Sequence, residues 1–455
     1  MSKGFAAAMQ CIKRGTRALS GLVTQPEVDN GCAETGYRSQ ATLYTPFTTI
    51  LTFLAQLIGA DRSCQQAVNG LVAERVAAGK KKCSADTGAY CKARSRLPEE
   101  LFWKLLRQSG RAVDEQADPE WNWNGHRVRV ADGSTLAIAD TDANRDEYPL
   151  QRNLKPGQHY PVVRILVIFS LAVGTVLDAA ICPYRGKGTG ETAMLRSLAD
   201  LFEPGDVLLA DRYFSGYWDM AFWMARSVHV VACISVSRKL DFRKGQRVGR
   251  CDHVIEWKKT NRPDWIDEEA VQLVPARLRL RELRVPVNVP GFRTRFVHIV
   301  TTLTDGEVYS KESLGDLYRR RWQAELNLRS LKTHMGMRQL RCETPAMVRK
   351  EFATYLLAYN CIRRVASEAA RTARVWPEKI SFKNTMQAIN EFFPRLHQAA
   401  RIEDWIDGLL STVAEVRVGH RPNRIEPYTC KTRPKDYPPP KEPRSTYKSR
   451  KAKQK

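Results

Sequence analysis

The chain has 455 residues, 43% of them hydrophobic, with 73 Lys and Arg against 49 Asp and Glu and a formal net charge of +24. That length and apolar content suit two or three globular domains with substantial cores, and exclude a chain disordered throughout. The charge creates a field that attracts polyanions, so nucleic acid is the leading partner class; a ribosomal or histone-like packing role shares the charge but does not need so large a core.

The opening "MSKGFAAAMQCIKRGTRALS" has no apolar core long enough for a secretory signal, and the expected location is cytoplasmic, on the nucleoid when DNA is bound. Eleven cysteines, an odd set from Cys11 to Cys430, show no C-x-x-C pair and no zinc spacing, so reduced structural thiols are expected. Residues 1–125 read as a helical, DNA-binding region in which "PFTTILTFLAQLIG" and "PEELFWKLLRQSGRAV" are amphipathic segments. Between them, from Lys80 to Pro98, Ser84 can cap a short helix bearing Lys92, Arg94 and Arg96 and ended by Pro98. That helix is either a solvated basic face or the second helix of a helix-turn-helix element lying on DNA.

From His126 the periodicity changes to strands, opening a mixed α/β region over residues 126–362. "HRVRVADGST" alternates so that Val128, Val130 and Asp132 share a face, ending in Asp-Gly. The run from Ile165 to Ile181 approaches membrane-spanning length. Gly174 and Thr175 break it, Asp178 interrupts it, and its β-branched residues favour two buried strands joined by a tight turn. "GDVLLADRYFSG" is a short apolar strand terminating at Asp211. The order is β-β-β-α-β-α-β, with two aspartates at the carboxyl ends of apolar strands.

A polar, turn-rich interval over residues 238–295 holds Trp257 and Trp265 and reads as a β-rich insertion. A strand, "RFVHIVTTLTD", and a basic helix follow it, and residues 363–430 read as helical. Amphipathic faces between Glu368 and Val418 are available either to a partner subunit or to the chain's own core. Residues 431–455, rich in Pro and Lys, cannot bury a core and are expected to be a disordered basic tail.

The basic helix "LYRRRWQAELNLRSLK" holds one carboxylate, Glu325, among five cations. On a helical wheel Tyr318, Arg321, Glu325 and Lys332 share a stripe; Leu317, Ala324, Leu328, Leu331 and Met335 form a dry face beside it, and Arg320, Gln323, Asn327 and Ser330 point away. Glu325 either pairs with Arg321 or Arg329 on a solvated face, or has a chemical task. Asp132 and Asp211 supply the task if the three acids converge, because gathered carboxylates repel one another unless a divalent cation lies between them. Hard oxygens suit Mg²⁺ or Mn²⁺, and two such ions about 3.5 to 4 Å apart support phosphodiester chemistry.

The ordered set "ADGST", "LLADRYF" and "LYRRRWQAELNLRSLKTHMGM" resembles the DDE transposases of the insertion sequence 4 family, whose signature Y-x2-R-x3-E-x6-K is matched without a gap by Tyr318, Arg321, Glu325 and Lys332. The resemblance runs from about Ser84 to Arg363 and takes in "NLKPGQHYP". It implies an RNase H-like catalytic domain with a β-rich insertion, flanked by helical regions. It also implies Asp132, Asp211 and Glu325 as metal-binding catalytic acids, and Tyr318, Arg321 and Lys332 as contacts to double-stranded DNA at the transposon end. Trp257 and Trp265 become candidates for stacking on a flipped base, each also readable as a core tryptophan. The implied activity is metal-dependent cleavage at terminal inverted repeats and strand transfer by a homodimer on DNA. The alternatives are a DNA-binding regulator that does not cut and a hydrolytic nuclease that never joins strands.

Overall fold

The structure, a computed structural model, describes residues 22–419 except 60, 152–156, 236 and 288–294, together with 442, 446, 447, 449 and 450. The expected basic tail, apart from those last few positions, lies outside the described residues, as do the first four residues of "NLKPGQHYP".

Among the described residues nine strands build one sheet: β1 (Val128–Ala137), β2 (Val162–Ser170), β3 (Val176–Pro183), β4 (Val207–Ala210), β5 (His229–Cys233), β6 (Gln246–Gly249), β7 (Asp252–Lys258), β8 (Arg277–Pro286) and β9 (Phe296–Thr301). Their order is β3-β2-β1-β4-β5-β9-β8-β7-β6. The first three strands are antiparallel, whereas β4 and β5 run parallel to β1. That arrangement, with helices on both faces, is RNase H-like. The strands of the turn-rich interval add to the same sheet through β9, which pairs antiparallel with both β5 and β8.

The apolar run from Ile165 to Ile181 forms β2 and β3 with a turn between them, and no helix among the described residues is long and apolar enough to cross a membrane. The turn is gripped from below by the long helix Pro345–Thr372. Gly174 adopts φ +73°, open to glycine at no steric cost, and Tyr359 donates to its carbonyl at 3.0 Å. Arg363 donates to the Val173 carbonyl through Nε at 3.0 Å and Nη2 at 2.7 Å. Asn360 accepts from the Val176 amide at 2.7 Å and donates to its carbonyl at 2.8 Å, satisfying the backbone of an edge strand.

The same helix packs against Glu99–Asp114 on one side and against Phe382–Phe392 and Ile402–Glu415 on the other. Ile389, Ile406, Leu409, Leu410 and Val413 are buried in the main core. The apolar faces of the C-terminal helices therefore pack on their own chain, the second of the two uses open to them in the sequence.

Two local expectations change near the N-terminus. The short basic helix is Gly88–Arg96 and starts at Thr87, because the Ser84 hydroxyl accepts from the Asp86 amide at 3.1 Å in a turn of its own. Arg94 does not decorate the outer face with Lys92 and Arg96. It is buried, with its guanidinium 4.6 Å from the centre of the Phe53 ring and 4.8 Å from that of Tyr90, and hydrogen-bonded to Gln56 at 3.3 Å. Sandwiching between aromatic faces compensates its desolvation.

Candidate active site

β1 and β4 set the first two acids side by side. Their parallel register ends at Val130↔Leu209, and two residues further along each chain stand Asp132 and Asp211. Asp211 ends its strand as the sequence suggests, and its Oδ1 accepts from the Tyr213 amide at 2.8 Å, which fixes the carboxylate at the turn. Asp132 does not end its strand. β1 runs on to Ala137 because β2 pairs with it along its whole length, Asp132 lying opposite Val167. What stops beside Asp132 is the parallel ladder with β4, and the sheet opens there.

The helical segment with Glu325 is tied across that opening. It is not one straight helix: Lys311–Arg320 and Trp322–Arg329 meet at Arg321, and Ser330–His334 is a π-helical turn. Leu317, Ala324, Leu328, Leu331 and Met335, the expected dry face, are all buried. Beyond the turn, Ala137 of β1 exchanges hydrogen bonds with the returning chain, accepting from the Leu340 amide at 2.9 Å and donating to the Arg338 carbonyl at 3.2 Å. Lys332, within the π turn, donates to Ser134 Oγ and to the Thr135 carbonyl, each at 3.0 Å. Burial lowers its pKa, with Arg338 adding to the effect. Arg320 departs from expectation: it lies over Trp376 at 4.7 Å and pairs with Glu378 at 3.5 Å, because the chain after the long helix folds across that face.

Electrostatics show that the acids share one environment. Burial pushes the Asp132 carboxyl up to about 6; Arg321 pulls it down, while Glu325, Glu191 and Asp211 add to the rise. Arg321 Nη2 donates to Glu325 Oε1 at 2.7 Å. Despite its burial, the guanidinium is held above its ordinary pKa by Glu325, Tyr318 and Asp132. Tyr318 is half-buried near the Cys233 thiol at the end of β5, and burial followed by Cys233 raises its pKa. Among the described residues no three His, Cys, Asp or Glu side chains close tightly enough to hold a metal ion by themselves. The donor set still suits a hard divalent cation, being carboxylate oxygens whose mutual repulsion a cation would relieve.

The family model described as "Transposase DDE domain" matches residues 123–361, over half of the chain. The chain belongs to the DDE-domain transposases. This transposase is 25% identical over 362 residues to "Transposase InsG for insertion sequence element IS4" of Escherichia coli (strain K12), an alignment covering 77% of each protein. The insertion sequence 4 resemblance read from Tyr318, Arg321, Glu325 and Lys332 is borne out. A solved structure, that of the piggyBac transposase synaptic complex with hairpin DNA, aligns over 87% of this chain and 84% of the other with a TM-score of 0.43 and 11% identity.

Neither tryptophan of the transposase's turn-rich interval is a free platform. Trp257 is buried, donating from Nε1 to Glu282 Oε1 at 2.6 Å, with the Arg238 guanidinium 3.5 Å from its ring centre. Trp265 is 39% exposed, but Arg196 covers it at 3.8 Å. Sequence reasoning missed Glu191, the first residue of the helix Glu191–Ser197, whose charge reaches both Asp132 and Asp211. The available signal was its place just before the Asp211 strand, which a reading confined to strand ends passes over.

Proposed function

We propose that the transposase cleaves DNA at the terminal inverted repeats of its element and joins the freed 3′-hydroxyls to a target, with Asp132, Asp211 and Glu325 as the catalytic, metal-binding acids. The observation that carries this reading is the shared environment of the three acids: two on adjacent parallel strands, the third brought over them by the helix that Lys332 and Leu340 fasten to β1. Bound among these carboxylates, Mg²⁺ or Mn²⁺ supplies Lewis acidity that activates an attacking oxygen and stabilises the leaving one in phosphodiester displacement.

The chain's own residues do the rest. Arg321 holds Glu325 by Oε1, leaving Oε2 as a donor, and keeps the carboxylate oriented along the helix. Lys332 has three N–H donors, of which Ser134 and Thr135 take two, so one remains for a phosphate oxygen beside the acids. Tyr318 is half-buried against the main core next to Arg321 and contributes to DNA binding from that position beside the acids. One such centre processes one end at a time, and excision needs two ends, so the working unit is a homodimer on double-stranded DNA.

Incubating the protein with end-containing DNA and Mg²⁺ tests the reading. Metal-dependent cuts at the element's ends followed by joined product support it; cuts that never yield joined product would establish a hydrolytic nuclease instead, and binding without cutting a regulator.

A further inference from the structure

We propose that Glu191 is a fourth carboxylate of this metal centre, its carboxyl group lying on the opposite face of the sheet in the space that Gly133 leaves beside Asp132. The inference rests on the triad reading above and extends it. Side chains alternate along β1, so Asp132 shares the face of Val128 and Val130, the one covered by the Glu325 helix, whereas Gly133 faces the other way. On that second face lies Glu191–Ser197, its Met194 and Leu195 packed with Ala131 and Leu166. A Cβ on Gly133 would stand 2.4 Å from the Glu191 carboxyl carbon and from Oε1. The carboxylate therefore rests against the strand backbone immediately beside Asp132, in space that any other residue at position 133 would fill.

Among the described residues its one ion-pair partner, Arg164, leaves it available. Arg164 Nη1 stands 3.8 Å from Glu191 Oε1, beyond direct hydrogen-bond distance, and Arg164 Nε is buried with no hydrogen-bond partner among the described residues. Charge balance supplies the reason for a fourth acid. Two divalent ions carry four positive charges, Asp132, Asp211 and Glu325 return three negative ones, and Arg321 offsets part of the last. Glu191 brings the carboxylates to four.

The test uses the full-length protein. Glu191→Gln keeps the shape and removes the charge, and Gly133→Ala displaces the carboxylate without altering it; Gly133 does not occupy the left-handed region, so alanine fits its backbone. Mn²⁺ binding measured by calorimetry without DNA should weaken in both variants by about tenfold or more, the loss typical even of an outer partner of a metal site. Cleavage should fall with it and recover partly at raised Mn²⁺, while binding of end DNA in Ca²⁺ stays as in the unaltered protein. Wild-type Mn²⁺ affinity in either folded variant overturns the proposal. Asp132→Ala in parallel separates the two readings: if it loses Mn²⁺ binding and cleavage while Glu191→Gln keeps both, only the fourth carboxylate fails, and if Asp132→Ala keeps both, the triad itself is wrong.

Discussion

Arg321 and Glu325, one helical turn apart, are joined by a 2.7 Å hydrogen bond from Nη2 to Oε1, and the same guanidinium counters the charge of Asp132 across the opening of the sheet. The sequence left a choice between an ordinary ion pair and a functional carboxylate. The structure shows the two to be compatible, since the pair occupies one oxygen of Glu325 and also sets its direction.

Replacing Arg321 by Ala should therefore disable the site more than the fold. Cleavage should fall by about 100-fold, as for loss of a preorganised charged donor, while stability falls by about 1 to 2 kcal/mol. Combining Arg321→Ala with Glu325→Gln in a thermodynamic cycle should give a coupling of about 1 kcal/mol or more. Strict additivity would mean that the two side chains act independently.

Asp132 makes the stability of the metal-free protein depend on pH in a defined direction. Its folded pKa is pushed up to about 6, above the ordinary carboxylate value near 4. Across that window the folded state holds a proton that the unfolded chain has released, so stability declines as pH rises. Asp132→Asn should reduce the decline and exceed the unaltered protein by about 1 to 3 kcal/mol above pH 6, with little difference near pH 4. Chemical denaturation in EDTA at several pH values measures this; identical slopes for the two proteins would contradict the burial of this carboxyl.

Lys332→Ala should lower the salt slope of end binding by about one unit and cost about 1 kcal/mol of stability for its bonds to Ser134 and Thr135. Binding that keeps both its strength and its salt dependence would confine Lys332 to fastening the helix.

The contacts of Trp257 lead to a different expectation from that of a base-stacking residue. Trp257→Phe should destabilise the protein by about 1 to 3 kcal/mol because Glu282 loses its indole donor, and should leave strand cleavage close to normal. A cleavage defect in a variant of unchanged thermal stability would restore the stacking role.

The chain order of strands and helices and the dry helix face were legible, and the three acids stood out as candidates, because each rests on periodicity or on a short motif. Val128, Val130 and Asp132 alternate, Leu317 to Met335 repeat at helical spacing, and Asp211 follows an apolar run. What escaped depended on contacts between distant segments. Arg94 looks like a surface charge until Phe53 and Tyr90 close over it, and Arg320 until Trp376 arrives from beyond the long helix. Strand β1 outruns Asp132 because its partner β2 is long enough to pair to Ala137, a fact held in β2. Glu191 was hidden for the same reason: its nearness to Asp132 depends on Gly133, and a glycine carries no signal of what occupies its missing side chain.

The central claim is that Asp132, Asp211 and Glu325 form one metal-dependent catalytic centre. Its most direct test measures nicking of end-containing DNA by Asp132→Ala, Asp211→Ala and Glu325→Ala in Mg²⁺ and in Mn²⁺, alongside binding of the same DNA. Each substitution is predicted to abolish nicking while binding persists, and a wild-type nicking rate in any one of the three would contradict the account.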